Sequence, residues 1–544
     1  MRVHPVTRFT PMVTNIAPLS STGNSEKTTR SSPRKLRRPR ILIVTPELNG
    51  SSYLGRNGLP VPCAKAGGLA DISTLLVDEL ADRGIDVRVA MPHFRNLFPE
   101  TKLSRRLHLC RDREFFYRRS VYDGSPEENR RAALAFQRDV IHNILPAVRP
   151  DIVHCHDWMT GLVPAAAKSM GIRSLFTVHN LHDELTSMVE AEDRGIDMAR
   201  FWQNLYFKNY PHSYEESRNG NPVSMLASGI HASDHVNTVS PSFLREMMDG
   251  RHPAGWGLCD VLRGKDHFGA ASGILNAPDP TCSPERDLRI VQRYGAADHR
   301  AGKRANKAEL QTRLGLEIDP GAPVLFWPSR LDPMQKGCGL LAHILYRLVS
   351  DYWGLGLQVV FVADGPFRPH FEHIAGFHGL QKRIAVCGFD EGLSRQAYAG
   401  SDFVIVPSAY EPCGLAQMVA LKYGSLPIVH RTGGLQDTVQ HLDTANHSGN
   451  GFVFYVHDCG GLRWAIDEAI RFHIRPAAER EQEISRIMRE SVERFSPRTT
   501  AEGYIRIYEK LSNRTIGEPA QPEPVMTRIK PPVPRPVTCE TEAA

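Results

Sequence analysis

Three segments between residues 41 and 90 decide the fold: ILIVT at Ile41–Thr45, KAGGLADISTLLVDEL at Lys65–Leu80 and VRVA at Val87–Ala90. The first is a continuous apolar run, which is typical of a strand buried on both faces. The second follows a glycine-containing turn and repeats Leu and Ile at helical spacing, and Gly84 is expected to end the helix. Strand, glycine-rich turn, helix and strand form the βαβ unit of a parallel, doubly wound sheet.

The same alternation continues along the chain in two series. Further buried-type strands are predicted in the first series at Ile152–His154, Leu175–Val178 and Val236–Val239. After about residue 275 five more are predicted, at Val324–Trp327, Gln358–Val362, Ile384–Cys387, Phe403–Val406 and Pro427–Val429. We therefore predict an α/β protein with two Rossmann-like domains, 41–275 and 276–495, facing across a cleft. Motifs that follow strands should converge on that cleft.

The charge of the chain is concentrated at one end. Residues 1–40 carry nine Lys/Arg and one acidic residue, so the formal net charge of +6 leaves about −2 for the rest. We expect 1–40 to be a disordered basic arm and 515–544, with seven prolines, to be a disordered tail. The nearly neutral body argues against nucleic acid as a partner.

The ten cysteines include no CxxC pair and no spacing typical of a zinc site. This pattern favours buried free thiols in a reducing cytoplasm. The arm lacks the apolar core of a secretory signal, although its composition also fits a plastid or mitochondrial transit peptide. No apolar run approaches the roughly 18 residues that span a bilayer, so a membrane partner is not expected.

The segment Ser408–Val439 predicts a ligand site. Glu411 directly precedes an amphipathic helix, and the turn Cys413-Gly414-Leu415 should leave backbone N–H groups free. Such groups favour an anion, whereas the carboxylate of Glu411 is better suited to neutral sugar hydroxyls beside it. The segment thus indicates a nucleotide-sugar site. The alternative is an ordinary helix-capping loop.

Two other loops carry cations beside predicted strands. Lys65 adjoins Gly67 and Gly68, which would allow close backbone approach to a phosphate. Arg330 and Lys336 follow the strand ending at Trp327 and could straddle a diphosphate. A plain turn for the first loop and a solvated surface pair for the second are the alternatives.

The segment HCHDW, His154–Trp158, looks at first like a metal cluster. His154 and His156 could share one face of a strand, but no companion ligand is evident, so no metal site is expected. Asp157 ends the strand and is placed to bind a sugar or acceptor hydroxyl. His179 likewise ends a strand and could bind a substrate hydroxyl or cap a loop.

Taken together, the motifs resemble those of the bacterial glycogen synthase and plant starch synthase family, retaining glycosyltransferases of the GT-B fold. They occur in family order over about residues 41–510. The matching motifs are KAGGLAD (65–71), HCHDW (154–158), TVHN (177–180), TVSPSF (238–243), GILN (273–276), the loop 330–337, EPCGLAQ (411–417), YGSLPIV (423–429) and TGGLQDTV (432–439).

The resemblance implies a role for each matching position. The implied catalytic residues are Glu411, Arg330, Lys336, His179 and Asp157. The implied donor-binding residues are Lys65, Gly67, Gly68, Asn276, Phe389, Cys413, Gly414 and Leu415. In this scheme Arg330 and Lys336 offset charge on the departing ADP, Glu411 grips the transferred glucose and Phe389 stacks on the adenine. A helix within 496–514 is also implied to return to the first domain.

The implied reaction moves α-glucose from ADP-glucose to the non-reducing 4-OH of an α-1,4-glucan with retention of configuration. No metal or other cofactor is implied, because two fixed cations and backbone amides can neutralise the leaving group. No carboxylate nucleophile of the kind retaining hydrolases use is evident, so attack on the same face of the sugar is expected.

The match departs from the family at three places. Ala277-Pro278-Asp279 follows GILN instead of the usual Gly-Ile-Asp, the loop 330–336 is one residue longer, and Ala416 replaces a frequent Thr. These changes could shift donor or acceptor preference but remove no charged position.

The sequence suggests three other functions, of which the third has the least support. A related retaining transferase using UDP-glucose or making another polysaccharide would be separated by donor competition. A catalytically silent glucan-binding homologue would bind glucan without transfer. An NAD-linked oxidoreductase lacks support, because GxGxxG is absent. The oligomeric state is not predicted.

Overall fold

The computed structural model describes residues 39–56, 59–60, 62–98, 103–252 and 258–516. The predicted basic arm up to residue 38 and the proline-rich tail from residue 517 lie outside the described residues. Two residues at their boundaries differ from the prediction. Arg40 belongs to the first strand, where its guanidinium donates to Asp86 (2.8 Å), and Ile516 is buried in the first core.

The strands of the described residues run mostly in parallel. In chain order they are β1 (Arg40–Val44), β2 (Leu48–Asn49), β3 (Cys63–Ala64), β4 (Asp86–Pro92), β5 (Leu107–Cys110), β6 (Ile152–His156), β7 (Arg173–Val178), β8 (Leu185–Thr186), β9 (Val223–Ser224), β10 (His235–Thr238), β11 (Ala271–Gly273), β12 (Val324–Trp327), β13 (Gln358–Val362), β14 (Ile384–Cys387), β15 (Phe403–Val406), β16 (Leu426–His430) and β17 (Phe452–Phe454).

Two parallel sheets organise the chain. The first has the order β11-β10-β7-β6-β1-β4-β5 and the second β14-β13-β12-β15-β16-β17. If the strands of the second sheet are renumbered from one in chain order, their order across the sheet is 3-2-1-4-5-6. The first sheet, renumbered in the same way and followed from β5 to β11, has the order 3-2-1-4-5-6-7. The order 3-2-1-4-5-6 is that of a Rossmann sheet. The short strands β2 with β3 and β8 with β9 form separate antiparallel pairs.

Helices cover both faces of the two sheets. They are α1 (Gly68–Asp82), α2 (Arg113–Phe116), α3 (Pro126–Asp139), α4 (Leu145–Val148), α5 (Val163–Ser169), α6 (Met188–Asp193), α7 (Tyr214–Gly220), α8 (Met225–Ala232), α9 (Pro241–Met248), α10 (Leu258–His267), α11 (His299–Leu314), α12 (Cys338–Asp351), α13 (Arg368–Phe377), α14 (Glu391–Gly400), α15 (Ala416–Lys422), α16 (Gly433–Thr438), α17 (Cys459–His473), α18 (Ala477–Arg494) and α19 (Pro497–Ser512). A π-helical turn at Val140–Ile144 joins α3 to α4, and 3-10 turns lie at Trp158–Thr160, Met198–Arg200, Trp202–Asn204 and Trp353–Leu355.

The doubly wound α/β fold predicted from the sequence is confirmed. Four predicted strands, β12 to β15, have the predicted bounds, because each is a short run made almost entirely of apolar residues. In the two parallel sheets the strands β5, β11 and β17 were missed, and all three lie at sheet edges. The two-residue strands β2, β3, β8 and β9 were also missed. β5 and β11 are only partly buried, so their sequences carry little apolar signal, whereas β17 is apolar and buried but only three residues long.

Each half has its own core. The strand residues Ile41–Val44 and Val324–Trp327 are fully buried, since helices cover both faces of each sheet. Val239, which follows β10, packs in the core of the second half, so the two cores meet beside the first sheet. No helix among the described residues has the length and hydropathy needed to cross a membrane.

The last helix, α19, packs on the first sheet. Its residues Tyr504 and Tyr508 are fully buried in the first core. The Tyr508 hydroxyl lies 2.8 Å from Nδ1 of His154 in β6, and the Asn237 side chain in β10 donates to the Tyr504 hydroxyl (3.1 Å). The Thr500 hydroxyl also donates to the carbonyl of Leu275 (2.8 Å). This bond links the two segments in which the chain passes from one half to the other.

These contacts predict that Tyr508→Phe is destabilising. The variant would leave Nδ1 of His154 buried without a partner, so the free energy of unfolding should fall by about 1–3 kcal/mol. Urea unfolding followed by tryptophan fluorescence measures the change. Tyr117→Phe, at an exposed ring, is the control and should leave the midpoint where it is. An unchanged midpoint for Tyr508→Phe would contradict the assigned role.

Candidate active site

The predicted site residues lie in loops that follow parallel strands, at the carboxyl edge of each sheet. Lys65 and Asp157 lie in loops beyond β1 and β6 in the first sheet, and Arg330 and Glu411 lie beyond β12 and β15 in the second. The two edges face each other. A Cβ built on Gly68 would lie 3.5 Å from Cδ1 of Leu415, so the first glycine turn directly meets the Cys413-Gly414-Leu415 turn.

Lys336 and Glu411 form a buried ion pair in the second half. Nζ of Lys336 lies 2.6 Å from Oε2 of Glu411, and Ser408 donates to the same oxygen (2.9 Å). Both charged residues are 9% exposed. Each charge therefore compensates the burial of the other. Lys336 was expected to bind a phosphate and Glu411 to bind sugar hydroxyls, and the structure shows that the two side chains also contact one another.

Glycines bring the loops of this pair together. Gly337 has φ +71°, and a Cβ there would lie 2.1 Å from the carbonyl oxygen of Pro407, so only glycine lets the loop after β12 reach the end of β15. Gly433 has φ +44°, and a Cβ there would lie 2.0 Å from the carbonyl oxygen of Glu411. The Gly434 amide donates to that same oxygen (2.9 Å), which fixes the backbone of Glu411.

Arg330 lies in the same loop as Lys336, and its guanidinium is unpaired among the described residues. Its side chain is exposed and makes no ion pair or hydrogen bond within the described part of the chain. Asp332 folds the loop by accepting from the amides of Met334 (2.9 Å) and Gln335 (3.0 Å). Phe389, which follows β14, is 61% exposed. Both side chains are therefore available to a ligand.

In the first half, the ammonium of Lys65 and the backbone amide of Gly67, which were expected to bind a phosphate, are hydrogen-bonded to carboxylates. Nζ of Lys65 lies 2.8 Å and 2.9 Å from the two oxygens of Asp71. The amides of Ala66 and Gly67 donate to Oε2 of Glu47 (2.8 Å and 2.9 Å), whose side chain is almost fully buried. Sequence reasoning missed Glu47 and Asp71. The signal was present, because Glu47 lies three residues after a buried strand and Asp71 lies within the KAGGLAD motif.

Asp157 organises the turn that carries His179. Its Oδ1 accepts from the His179 amide (2.6 Å) and its Oδ2 from the Asn180 side chain (3.0 Å). Its backbone has φ +56°, a strained value for a residue other than glycine. Burial, with the Glu47 carboxylate nearby, raises the pKa of Asp157 to about 7. A carboxylate has about four lone-pair positions, so Asp157 can still accept from a substrate hydroxyl.

Tyr122 was also missed by the sequence analysis. Its ring is partly exposed, whereas its hydroxyl is desolvated beside the carboxylates of Glu47 and Asp157, and this desolvation together with the two charges raises the pKa of Tyr122. Tyr122 lies between α2 and α3 in a segment without periodicity, so nothing in its sequence context marked it. Together Glu47, Asp157 and Tyr122 form a hydrogen-bonding surface beside the first glycine turn.

Burial sets the protonation of the other titratable groups here. It lowers the pKa of His179 to about 3, so the ring is neutral at pH 7. It raises the pKa of Cys413 to about 12, which favours an inert thiol there. The side-chain Oδ1 of Asn276 is buried and has no partner among the described residues. Within the ranges that the structure describes, no group of three or more His, Cys, Asp or Glu side chains could hold a metal ion.

Two acidic residues dock the halves onto each other. Glu246 in α9 accepts from the Gly433 amide (2.8 Å) and from the Thr432 hydroxyl (3.2 Å) at the start of α16. Asp437 in α16 accepts from the amide (2.8 Å) and hydroxyl (2.6 Å) of Ser242 in α9. The TVSPSF and TGGLQDTV motifs therefore meet, a contact that their separation in the sequence conceals.

Comparisons with known proteins give the family. Residues 40–264 match the family model described as starch synthase catalytic domain, and residues 322–471 match glycosyl transferases group 1. A glycogen synthase from Exiguobacterium sibiricum is 33% identical over 495 residues, covering 83% of this chain and 97% of the relative. One from Geobacillus stearothermophilus is 31% identical over 490 residues, covering 83% and 96%.

Solved structures agree with these matches. The catalytic domain of starch synthase IV from Arabidopsis thaliana, bound to ADP and acarbose, aligns with a TM-score of 0.72 and 26% identity, covering 88% of this chain and 100% of that chain. A sucrose-phosphate synthase from Thermosynechococcus elongatus aligns with a TM-score of 0.54 at 18% identity, covering 87% and 99%, and shares the fold.

The buried pair predicts an asymmetric response to substitution. Lys336→Met leaves the Glu411 carboxylate buried without its cation, so the free energy of unfolding should fall by about 3–5 kcal/mol. The double variant Lys336→Met/Glu411→Gln removes both charges and should recover much of that loss. Urea unfolding of the three proteins measures this. Equal midpoints for the single and double variants would contradict a buried, mutually compensating pair.

Asp157 predicts a pH-dependent contribution to stability. Its pKa is about 7 in the folded chain against its usual 3.8, so the folded state binds the extra proton between these values. The stability that protonated Asp157 contributes is fully present below pH 3.8 and is lost as the pH rises through about 7. The stability of wild type relative to Asp157→Asn should therefore fall as the pH rises from about 4 to about 7 and then level off. Asp260→Asn, at an exposed side chain, is the control, and a flat wild-type difference for Asp157→Asn would refute this assignment.

Proposed function

Because the chain belongs to the family of bacterial glycogen synthases and plant starch synthases, it is a glucan-synthesising glycosyltransferase, and we propose that its donor is ADP-glucose. We propose that it transfers α-glucose to the non-reducing 4-OH of an α-1,4-glucan and retains the anomeric configuration. The observation that carries the proposal is the buried Lys336–Glu411 pair, whose loop also carries the exposed Arg330, with the two glycine turns facing each other.

The two cations of the second half suit a diphosphate. Arg330 is exposed and unpaired among the described residues, so its planar fork can take two phosphate oxygens at little cost. The ammonium of Lys336 has three donors and Glu411 uses one, so Lys336 can bridge the sugar site and the leaving phosphate. Both charges would offset the negative charge that develops on ADP as the glycosidic bond breaks.

Glu411 is the proposed contact to the transferred glucose. One of its oxygens already accepts from Lys336 and Ser408, which leaves the other for sugar hydroxyls. The amides of Cys413, Gly414 and Leu415 would line the sugar and phosphate. The buried, unpaired Oδ1 of Asn276 supplies a nearby acceptor, and the exposed ring of Phe389 is the proposed platform for adenine.

The first half would complete the site. The ammonium of Lys65 keeps at least one donor beyond its contacts with Asp71 and can offer it to a phosphate, whereas a phosphate at Gly67 competes with Glu47 for the amide. Gly68 has no Cβ to obstruct the donor where the two turns meet. Asp157 and His179 are proposed to line the glucose and the incoming hydroxyl of the acceptor.

The proposed chemistry is a same-face displacement. The bond from glucose C1 to the β-phosphate oxygen of ADP breaks, and a bond from C1 to the acceptor O4 forms on the same face. The proton of the acceptor hydroxyl passes to the departing phosphate oxygen, so atoms and charge balance. Glu411 is bound to Lys336 rather than poised as a nucleophile. Since the fixed cations can stabilise the leaving group, we propose that no divalent metal is required, which an EDTA control tests.

We also propose that the protein acts in the cytoplasm. The relatives are bacterial glycogen synthases, and the nine cysteines within the described ranges are all free thiols. Free buried thiols are the usual state in a reducing compartment.

Donor competition tests the proposed function. Radiolabelled glucose should enter glycogen from ADP-glucose in preference to UDP-glucose when both are offered at equal concentration. Preference for UDP-glucose would overturn the donor assignment. Absence of labelled glucan from either donor, with glycogen still bound, would favour a silent homologue.

Arg330 is the residue whose loss should separate activity from folding. Because its side chain is exposed, Arg330→Ala should fold as wild type while transfer falls by about 10²–10³-fold. Arg330→Lys should recover only part of the rate, because an ammonium keeps the charge but cannot donate the two parallel hydrogen bonds of a guanidinium. Arg347→Ala is the matched control, because Arg347 is also exposed but lies on the following helix, α12. A near wild-type rate for Arg330→Ala would refute the assigned role.

A further inference from the structure

Two histidines of the HCHDW motif have no part in the proposed chemistry. His154 and His156 lie in β6, and both are fully buried. Both ring nitrogens of His154 have neutral hydroxyl partners, Tyr508 on α19 and Thr177 on β7, each at 2.8 Å. His154 therefore joins two strands and the last helix, which is a structural role.

His156 has a different set of contacts. Its Nδ1 lies 2.9 Å from Nε2 of His179, while its own Nε2 is buried and has no hydrogen-bond partner among the described residues. The rings of His156 and His179 are 5.2 Å apart, and His154 packs on the other side of His156 at 4.1 Å. Burial lowers the pKa of His156 and His179 well below the usual range, so both rings are neutral at pH 7.

Either ring can donate the hydrogen bond between the neutral His156 and His179. The two arrangements differ in which group they leave buried without a partner on His156. If His179 donates from Nε2, then His156 carries its own proton on Nε2, and that N–H is buried without an acceptor. If His156 donates from Nδ1, only a lone pair on its Nε2 is left without a partner. Buried N–H groups without acceptors are rarer in proteins than buried acceptors without donors. The second arrangement is therefore favoured.

We propose that His156 is a positioning residue, which donates from Nδ1 to Nε2 of His179 and holds the proton of His179 on Nδ1. The proposal rests on the proposed function, because it assigns the state of a residue that faces the sugar there. It adds a residue that contacts neither donor nor acceptor but fixes the one that does.

The tautomer decides what His179 can offer a ligand. With Nε2 taken by His156, Nδ1 is the ring nitrogen that remains, and within the described residues no protein group bonds to it. Carrying the proton, Nδ1 is a hydrogen-bond donor to a hydroxyl oxygen and cannot serve as a general base. This agrees with transfer of the acceptor proton to the leaving phosphate.

Two substitutions at His156 test the proposal. His156→Leu fills the space without a donor, and kcat should fall about tenfold, the effect of one misplaced hydrogen bond, with little change in the KM for the donor. His156→Asn keeps an N–H donor near the position of Nδ1 and should restore most of the rate. Tyr508→Phe disturbs the neighbouring His154 and should alter stability but not kcat.

A double-mutant cycle separates positioning from a structural role. If His156 acts through His179, His156→Leu should cost no further activity in a His179→Ala background. A full tenfold loss in that background, or no recovery with His156→Asn in a variant that melts like wild type, would overturn the proposal.

The tautomer can also be read directly, whether or not the protein transfers glucose. In ¹⁵N-histidine-labelled protein, the imidazole nitrogens of His179 should show the proton on Nδ1, and His156→Leu should shift the signals toward a mixture. A wild-type signal with the proton on Nε2 would contradict the proposal even if donor competition succeeds. Failure of donor competition alone would affect only the proposed function.

Discussion

The site depends on the burial of Lys336 and Glu411 against each other. Neither charge could be placed there alone, because an unpaired buried ion is expensive. Their approach requires the loop after β12 to touch the end of β15, which only a glycine at position 337 permits. Gly433 and Gly434 then hold the backbone of Glu411 and Cys413 from the other side. The glycines of these motifs are thus explained by packing around one ion pair.

The two halves differ in how much positive charge they offer to a ligand in the cleft. The second half supplies Arg330, unpaired within the described residues, and Lys336, whereas in the first half Lys65 is paired with Asp71 and two amides are bound to Glu47. An anion entering the cleft would therefore meet available positive charge mainly on one side. Docking of Glu246 and Asp437 between α9 and α16 keeps the two sides in register. A phosphate at the first glycine turn must therefore compete with Glu47 for the amides of Ala66 and Gly67.

Sequence patterns predicted the central architecture well and the contacts between motifs poorly. Runs such as Gln358–Val362 and Phe403–Val406 are buried on both faces, so composition alone marked them as strands. The edge strand Ala271–Gly273 has no such signal. Glu411, Arg330 and Lys336 were proposed as site residues because charge beside a glycine turn is unusual after a buried strand. Glu47, Tyr122 and the pairing of His156 with His179 were missed because each depends on a partner distant in sequence, which no local pattern reports.

The central claim is that one diphosphate is held between the cations of the second half and the glycine turn of the first. The most direct measurement is a crystal structure of the protein with ADP and a maltooligosaccharide. The account predicts the β-phosphate within hydrogen-bonding distance of both Arg330 and Lys336, with the sugar chain ending between Glu411 and His179. A nucleotide bound away from this cleft, or phosphates that contact neither cation, would contradict it.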